Sequence, residues 1–293
     1  MVGNRSDNYA AQYLRKRATS SGVDECDALD DPNAEVLLPG GESDGPLGQS
    51  TPEAEYSDGD GEPVTSLLRA LAPPLTLSSK LERWLTGNGR EIATIEGNVV
   101  SAGEGVKRLW VTSAFNSEGK TTAALNAAYG LAHSGAKRVL LVDGNPGNAA
   151  IANVFAAPSG PGLREVLAGE VAVEAALHPT KHNGLDVITA GGGWAALGYS
   201  LPTTAMREFL AITSGSYDYI VVDGSSTYES SDITQVGALC DGAILVAACE
   251  HTKLEVVQSA ANKIRNAGLE VLGVVLNRRR FYIPKVVYQW LAR

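Results

Sequence analysis

The stretch Val111-Thr-Ser-Ala-Phe-Asn-Ser-Glu-Gly-Lys-Thr-Thr122 constrains the rest of the chain more than any other. It follows the apolar run Leu109–Val111 and leads into an alanine-rich helical stretch, Thr122–His133. A strand, a tight loop ending Gly-Lys-Thr and a helix together cradle phosphates. Loop N–H groups and the positive end of the helix dipole face the anion, and a lysine reaches its outer oxygens. The usual spacing puts a glycine five positions before Gly119, where this chain has Ala114. Ser117, Glu118, Gly119, Lys120, Thr121 and Thr122 are therefore the candidate nucleotide-binding positions.

From Lys107 onward the pattern is regular. Apolar runs predict strands at Leu109–Ser113, Val139–Asp143, Leu185–Thr189, Tyr219–Asp223, Ala243–Ala247 and Val271–Leu276. Helical stretches lie at Thr122–His133, Thr204–Ile212 and Lys253–Ala267. Strands that are apolar throughout, rather than alternating, predict an α/β fold with a mostly parallel sheet covered by helices on both faces. Ligands of such sheets sit beyond the carboxyl ends of the strands. The loop after Ser113, Asp143 and Asp223 all lie at those ends and are expected to converge.

The charge is unevenly placed. Residues 1–66 carry 14 Asp/Glu against 4 Lys/Arg, and the rest 19 against 20, so the net −9 belongs to the N-terminal arm. That arm is rich in Gly, Ser and Pro and reads as disordered, with a short helix near Tyr9–Arg17 and a docking peptide as the alternative. Residues 67–106 read as a linker with an amphipathic helix over Leu81–Ile95, packed on the edge of a nucleotide-binding domain at 107–293. Three cysteines (Cys26, Cys240 and Cys249) without metal-ligand spacing fit a reducing compartment. No uninterrupted apolar stretch is long enough to span a bilayer, and the N-terminus does not read as a secretory signal, so a cytoplasmic protein is expected.

Lys120 is the candidate ligand of the β- and γ-phosphates of ATP, and Thr121 offers a hydroxyl to Mg2+. Asp223, closing Tyr217-Asp-Tyr-Ile-Val-Val-Asp, occupies the position where such proteins hold magnesium, so Thr121 and Asp223 are the candidate metal ligands. Asp143 has two equal readings: orienting a nucleophilic water or accepting a proton from a hydroxyl substrate, and capping a helix or turn. Asn277 either pairs with an adenine edge or serves as a turn residue. After Asn277, Arg278-Arg-Arg and Lys285 surround Phe281, Tyr282, Tyr288 and Trp290 without an acidic residue. A solvated face or a partner contact is favoured there over nucleic acid or an anionic membrane surface.

Residues 107–290 resemble the cytoplasmic kinase domain of the bacterial tyrosine kinases of capsule and exopolysaccharide synthesis, a MinD/ParA-like branch of P-loop ATPases. Beyond the loop itself, the likeness rests on Val139-Leu-Leu-Val-Asp, Gly162-Leu-Arg-Glu-Val-Leu-Ala-Gly-Glu and Gly184-Leu-Asp-Val-Ile-Thr-Ala-Gly. Tyr217-Asp-Tyr-Ile-Val-Val-Asp, Ser231-Asp232 and Gly273-Val-Val-Leu-Asn277 complete it. The family often lacks the first loop glycine. The resemblance implies Lys120, Asp143 and Asp223 as the catalytic set, Asn277 near adenine, and ATP with Mg2+ as cofactors. It also implies a separate membrane-embedded chain-length or export protein as partner and recruiter to the inner membrane face, and homo-oligomers.

Departures accompany it. The family's Asp-x-Asp-x-Arg is here Asp143-Gly-Asn145-Pro-Gly147, and its Thr-Pro-Pro is Gly224-Ser-Ser. The glutamate and two spaced arginines of its oligomerisation helix are reduced to Glu91 in Glu91-Ile-Ala-Thr-Ile-Glu-Gly-Asn, and its terminal tyrosine cluster to Tyr282 and Tyr288. Losing a carboxylate weakens metal retention and charge neutralisation. Two readings follow: an ATP-dependent tyrosine autokinase regulating polymerisation and export, or a nucleotide-binding regulator or scaffold without turnover. A ParA-like positioning ATPase is a third, against which Ala114-Phe-Asn lacks the early lysine of that group.

Overall fold

A computed structural model describes residues 74–133 and 137–278. The expected helix near Tyr9–Arg17, the acidic arm and the basic aromatic tail from Arg279 lie outside these residues. In chain order the elements are α1 (Ser79–Gly87), α2 (Gly89–Ser101), β1 (Arg108–Ser113), α3 (Lys120–His133) and β2 (Val139–Gly144). Then come α4 (Ile151–Val154), α5 (Leu163–Leu167), β3 (His178–Pro179), β4 (Leu185–Ile188), α6 (Thr203–Ser214) and β5 (Tyr219–Gly224). The last are α7 (Asp232–Gln235), β6 (Gly242–Ala248), α8 (Leu254–Asn266) and β7 (Glu270–Asn277).

The sheet runs β3-β4-β2-β5-β1-β6-β7. Every pairing is parallel except β3 with β4. All six expected strands are present. The seventh, β3, holds two residues including Pro179, too short for any periodicity to report.

Alternation along the strands divides the core into two layers. Trp110, Leu140, Val142, Ile220, Val222 and Leu245 face one layer, closed by Met206, Phe209 and Leu210 of α6 and Ile264 of α8. Leu109, Val111, Leu141, Val187, Val221 and Val246 face the other. Because both faces of β1, β2, β5 and β6 are buried, their runs are apolar almost throughout, the signature of an internal parallel sheet.

Helix α3 closes the second layer with Ala123, Ala124, Ala127, Ala128 and Leu131. Its small side chains let a second helix approach closely. A Cβ on Gly130 would lie 2.7 Å from Ile92 Cγ2 of α2. The expected single helix over Leu81–Ile95 is two helices, interrupted at Asn88 between Gly87 and Gly89, a run of poor helix formers. Leu85, Ile92 and Val99 carry these helices into the second layer.

Ile92 is 5% exposed and seated on Gly130, so Ile92→Ala leaves a cavity between α2 and α3. Urea unfolding is expected to show a loss of about 2–4 kcal/mol; a loss below about 0.5 kcal/mol would mean that α2 is not part of the core.

Candidate functional site

Strand β5 lies between β2 and β1, and the carboxyl ends of all three meet. Asp143 and Asp223 are register partners, followed by the register pair Gly144 and Gly224. The loop 114–119 leaves β1 beside them, and α3 starts at Lys120.

The loop is held by its own side chains. Ser113 Oγ donates to the Phe115 carbonyl at 2.6 Å, and the Phe115 N–H donates to Glu118 Oε2 at 3.0 Å. Thr252 Oγ1, from the segment after β6, donates to Glu118 Oε1. The Glu118 carboxylate is thus turned into the loop's own frame. Ser117 (φ 63°) and Gly119 (φ 103°) occupy the left-handed region that bends the chain toward α3. Gly119 also makes room for Asn277: a Cβ there would lie 1.9 Å from Asn277 Nδ2 and displace that amide. Ala114 is buried and has no positive φ, so nothing in its backbone calls for glycine.

Lys120 is 4% exposed, and its Nζ donates to Asn116 Oδ1 at 3.0 Å. Burial lowers its pKa, and the charges of Asp223, Glu229 and Glu118 work against that. Thr121 Oγ1 donates to Asp223 Oδ2 at 2.6 Å, joining the first turn of α3 to β5. Asp223 Oδ1 is buried without a partner. Asp143 accepts three backbone N–H groups: Asn145 at 3.4 Å, Ala150 at 3.1 Å and Ile151 at 3.0 Å. Its carboxylate ties down the turn into α4. Burial raises Asp143 to about 6. Asp223 is raised to about 7, first by burial and then by the charge of Asp143, against the Thr121 hydrogen bond and Lys120.

Asn277, ending β7, donates from Nδ2 to the Glu118 carbonyl at 2.9 Å, while its Oδ1 accepts from the Arg278 N–H at 2.8 Å. Ser117 lies in the loop and Thr122 in the first turn of α3. The predicted residues from β2, β5, β7, the loop and the first turn of α3 therefore lie at one edge of the sheet.

Four contributors have no local signal in the sequence. Asn116 and Thr252 act through partners met only after folding. Glu229 lines a polar cavity of about 320 Å³ with Asn116, Asn145 and Ser226. Asp232, 0% exposed, accepts from Ser225 Oγ at 2.7 Å and fixes the loop after Asp223. Asp232 falls within the Ser231-Asp232 pair of the family pattern, so only the resemblance could have found it. Among the described residues no cluster of three or more His, Cys, Asp or Glu side chains forms a metal centre. No helix among them is long and apolar enough to cross a membrane.

The AAA domain family model AAA_31 matches residues 116–271, from the loop to the start of β7. Tyrosine-protein kinase CpsD of Streptococcus pneumoniae serotype 4 is 30% identical over 189 residues, covering 64% of this chain and 83% of that protein. The chain belongs to the bacterial tyrosine-kinase family of P-loop ATPases. The succinoglycan biosynthesis transport protein ExoP of Rhizobium meliloti is 29% identical over 180 residues, 60% of this chain and 23% of that protein. The crystal structure of the VpsO kinase domain superposes with a TM-score of 0.58 at 28% identity, covering 69% of this chain and 100% of that one.

The paired aspartates make stability depend on pH. Their folded pKa values, about 6 and about 7, lie above the ordinary 3.8, so the folded nucleotide-free protein holds protons that the unfolded chain has released. Stabilisation from this pair is complete below about pH 4 and is lost as pH rises through 6 and 7. His178 and His182, lowered by burial, act in the opposite sense, so the comparison with a variant isolates the pair. Thermal melting of wild type minus Asp223→Asn is expected to fall between about pH 5.5 and about pH 8. A flat difference would show that the pair does not share a buried charge.

Proposed function

We infer that this protein is an ATP-dependent tyrosine autokinase regulating exopolysaccharide or capsule polymerisation and export. Its place is the cytoplasm, recruited to the inner membrane face by a separate membrane-embedded chain-length or export protein, with self-association as a further expectation. The observation that carries this reading is the Thr121–Asp223 hydrogen bond beside buried Lys120, at the sheet edge where the phosphate loop opens into α3. Kinship with tyrosine-protein kinases and with a polysaccharide transport protein supports the substrate and the setting.

In this reading the N–H groups of residues 117–122 and the Lys120 ammonium hold the phosphates of ATP. Asn277 stiffens the loop through the Glu118 carbonyl from the end of β7. Thr121 Oγ1 and Asp223 are the residues that would hold Mg2+. They fit such an ion, because Asp223 Oδ1 is a buried oxygen without a partner and its ionised form is only partly compensated by Thr121 and Lys120. A bound ion would supply that charge and neutralise the phosphate oxygens. Asp143 keeps the turn beside it in place and adds to the negative potential at Asp223.

One observation favours a second reading, a nucleotide-binding regulator without turnover. Asn145 and Gly147 stand where the family carries a second carboxylate and an arginine. Incubation with ATP and Mg2+ in the presence of the membrane partner separates the two. Wild type is expected to accumulate phosphotyrosine, and Lys120→Ala to lose it by at least about 100-fold. Tight ATP binding by wild type with no phosphotyrosine would sink the kinase reading and leave the regulator.

A further inference from the structure

The cavity beside the phosphate loop holds two side chains of opposite hydrogen-bonding character, brought there by different strands. Asn145, from the loop after β2, is 4% exposed, and its Nδ2 is buried without a partner. Glu229, from the loop after β5, lines the same cavity. Its Oε2 accepts from Ser226 Oγ at 2.7 Å, and Ser226 is itself 2% exposed, so the carboxylate rests on a fixed hydroxyl. The cavity reaches the phosphate end of the site. Asn116, the partner of Lys120 Nζ, forms part of its wall, and the Glu229 charge is felt at Lys120.

A hydroxyl group needs an acceptor for its proton and a donor for its lone pair. Asn145 Nδ2 is an unused donor and Glu229 an anchored acceptor. Asp143 is poorly placed for the acceptor's part, because it is 0% exposed, does not line this cavity and spends its carboxylate on three backbone N–H groups. We propose that Asn145 and Glu229 seat the hydroxyl that attacks the terminal phosphate of ATP, with Glu229 as the base that takes its proton. The inference rests on the phosphotransfer reading above and names the acceptor site within it. The carboxylate missing at position 145 is thereby supplied from the neighbouring loop, and the amide in its place becomes the donor.

In the step, the acceptor O–H bond breaks and its proton passes to a Glu229 oxygen. The freed electron pair forms the new bond to the γ-phosphorus. The bond from that phosphorus to the β–γ bridging oxygen breaks with its electron pair on the oxygen, and ADP leaves. The acceptor class is a hydroxyl: a tyrosine phenol in phosphotransfer, water in hydrolysis.

The test uses the full chain, comparing wild type with Glu229→Gln and Asn145→Ala. Retention of ADP with aluminium fluoride and Mg2+ reads the transition-state geometry as binding. Phosphotyrosine on a Glu-Tyr copolymer and free phosphate read the two acceptors. ADP affinity within about 2-fold of wild type certifies that the variants are folded. Glu229→Gln is expected to lose aluminium fluoride retention at least about 10-fold and turnover about 10²–10³-fold. Asn145→Ala is expected to weaken retention by about 10-fold. Retention and turnover of Glu229→Gln within about 3-fold of wild type would overturn the seat and leave the kinase reading standing. Loss of phosphate release in Glu229→Gln, with no phosphotyrosine from wild type, would support the seat with water in it and overturn the kinase reading. Wild type that neither retains the fluoride complex nor turns over would overturn both.

Discussion

The hydrogen bond from Thr121 to Asp223 ties together parts of the chain that are 102 residues apart. It couples the first turn of α3 to the end of the central strand β5, and so sets where the phosphate loop meets the sheet. Its acceptor is one of two carboxylates placed side by side in a buried setting, each raising the cost of ionising the other. Such a pair persists only if something offsets it. Three backbone N–H groups do so for Asp143, and for Asp223 a hydroxyl and a buried lysine do so in part. The uncompensated remainder is one orphaned oxygen on Asp223, the atom that the proposed function gives to Mg2+.

Much of this was legible beforehand, for physical reasons. Asp143 and Asp223 each terminate a run of apolar residues, and in a parallel sheet such termini share one edge, so their meeting follows without knowledge of strand order. The order itself, with β5 between β2 and β1, leaves no trace in local sequence. The break at Asn88 was hidden because an amphipathic pattern continues through it. The inward turn of Glu118 depends on Thr252, 134 residues away. The occupation of Asp143 by N–H groups depends on how the loop into α4 folds back. Sequence position indicated which end of the sheet these carboxylates occupy, not which hydrogen bonds had already claimed their oxygens.

The departures at 145 and 147 look different once the neighbouring loop is in view. A site built from several strand ends draws its charges from several loops, so losing a carboxylate on one strand does not empty the cavity of acid. Ser226 and Asp232 matter here because each fixes part of the loop after β5, the former by holding Glu229 and the latter by holding Ser225.

A Cβ on Gly224 would lie 2.2–2.6 Å from ring atoms of Trp110. The indole belongs to β1, beneath the site, and is 0% exposed. The two positions are therefore sterically coupled. A side chain at 224 becomes admissible only after the ring at 110 has shrunk, and a shrunken ring leaves a void until 224 has grown. Each single step passes through a less stable protein. The tryptophan at 110 thus holds position 224 to glycine by packing alone, whatever the chemistry above it requires.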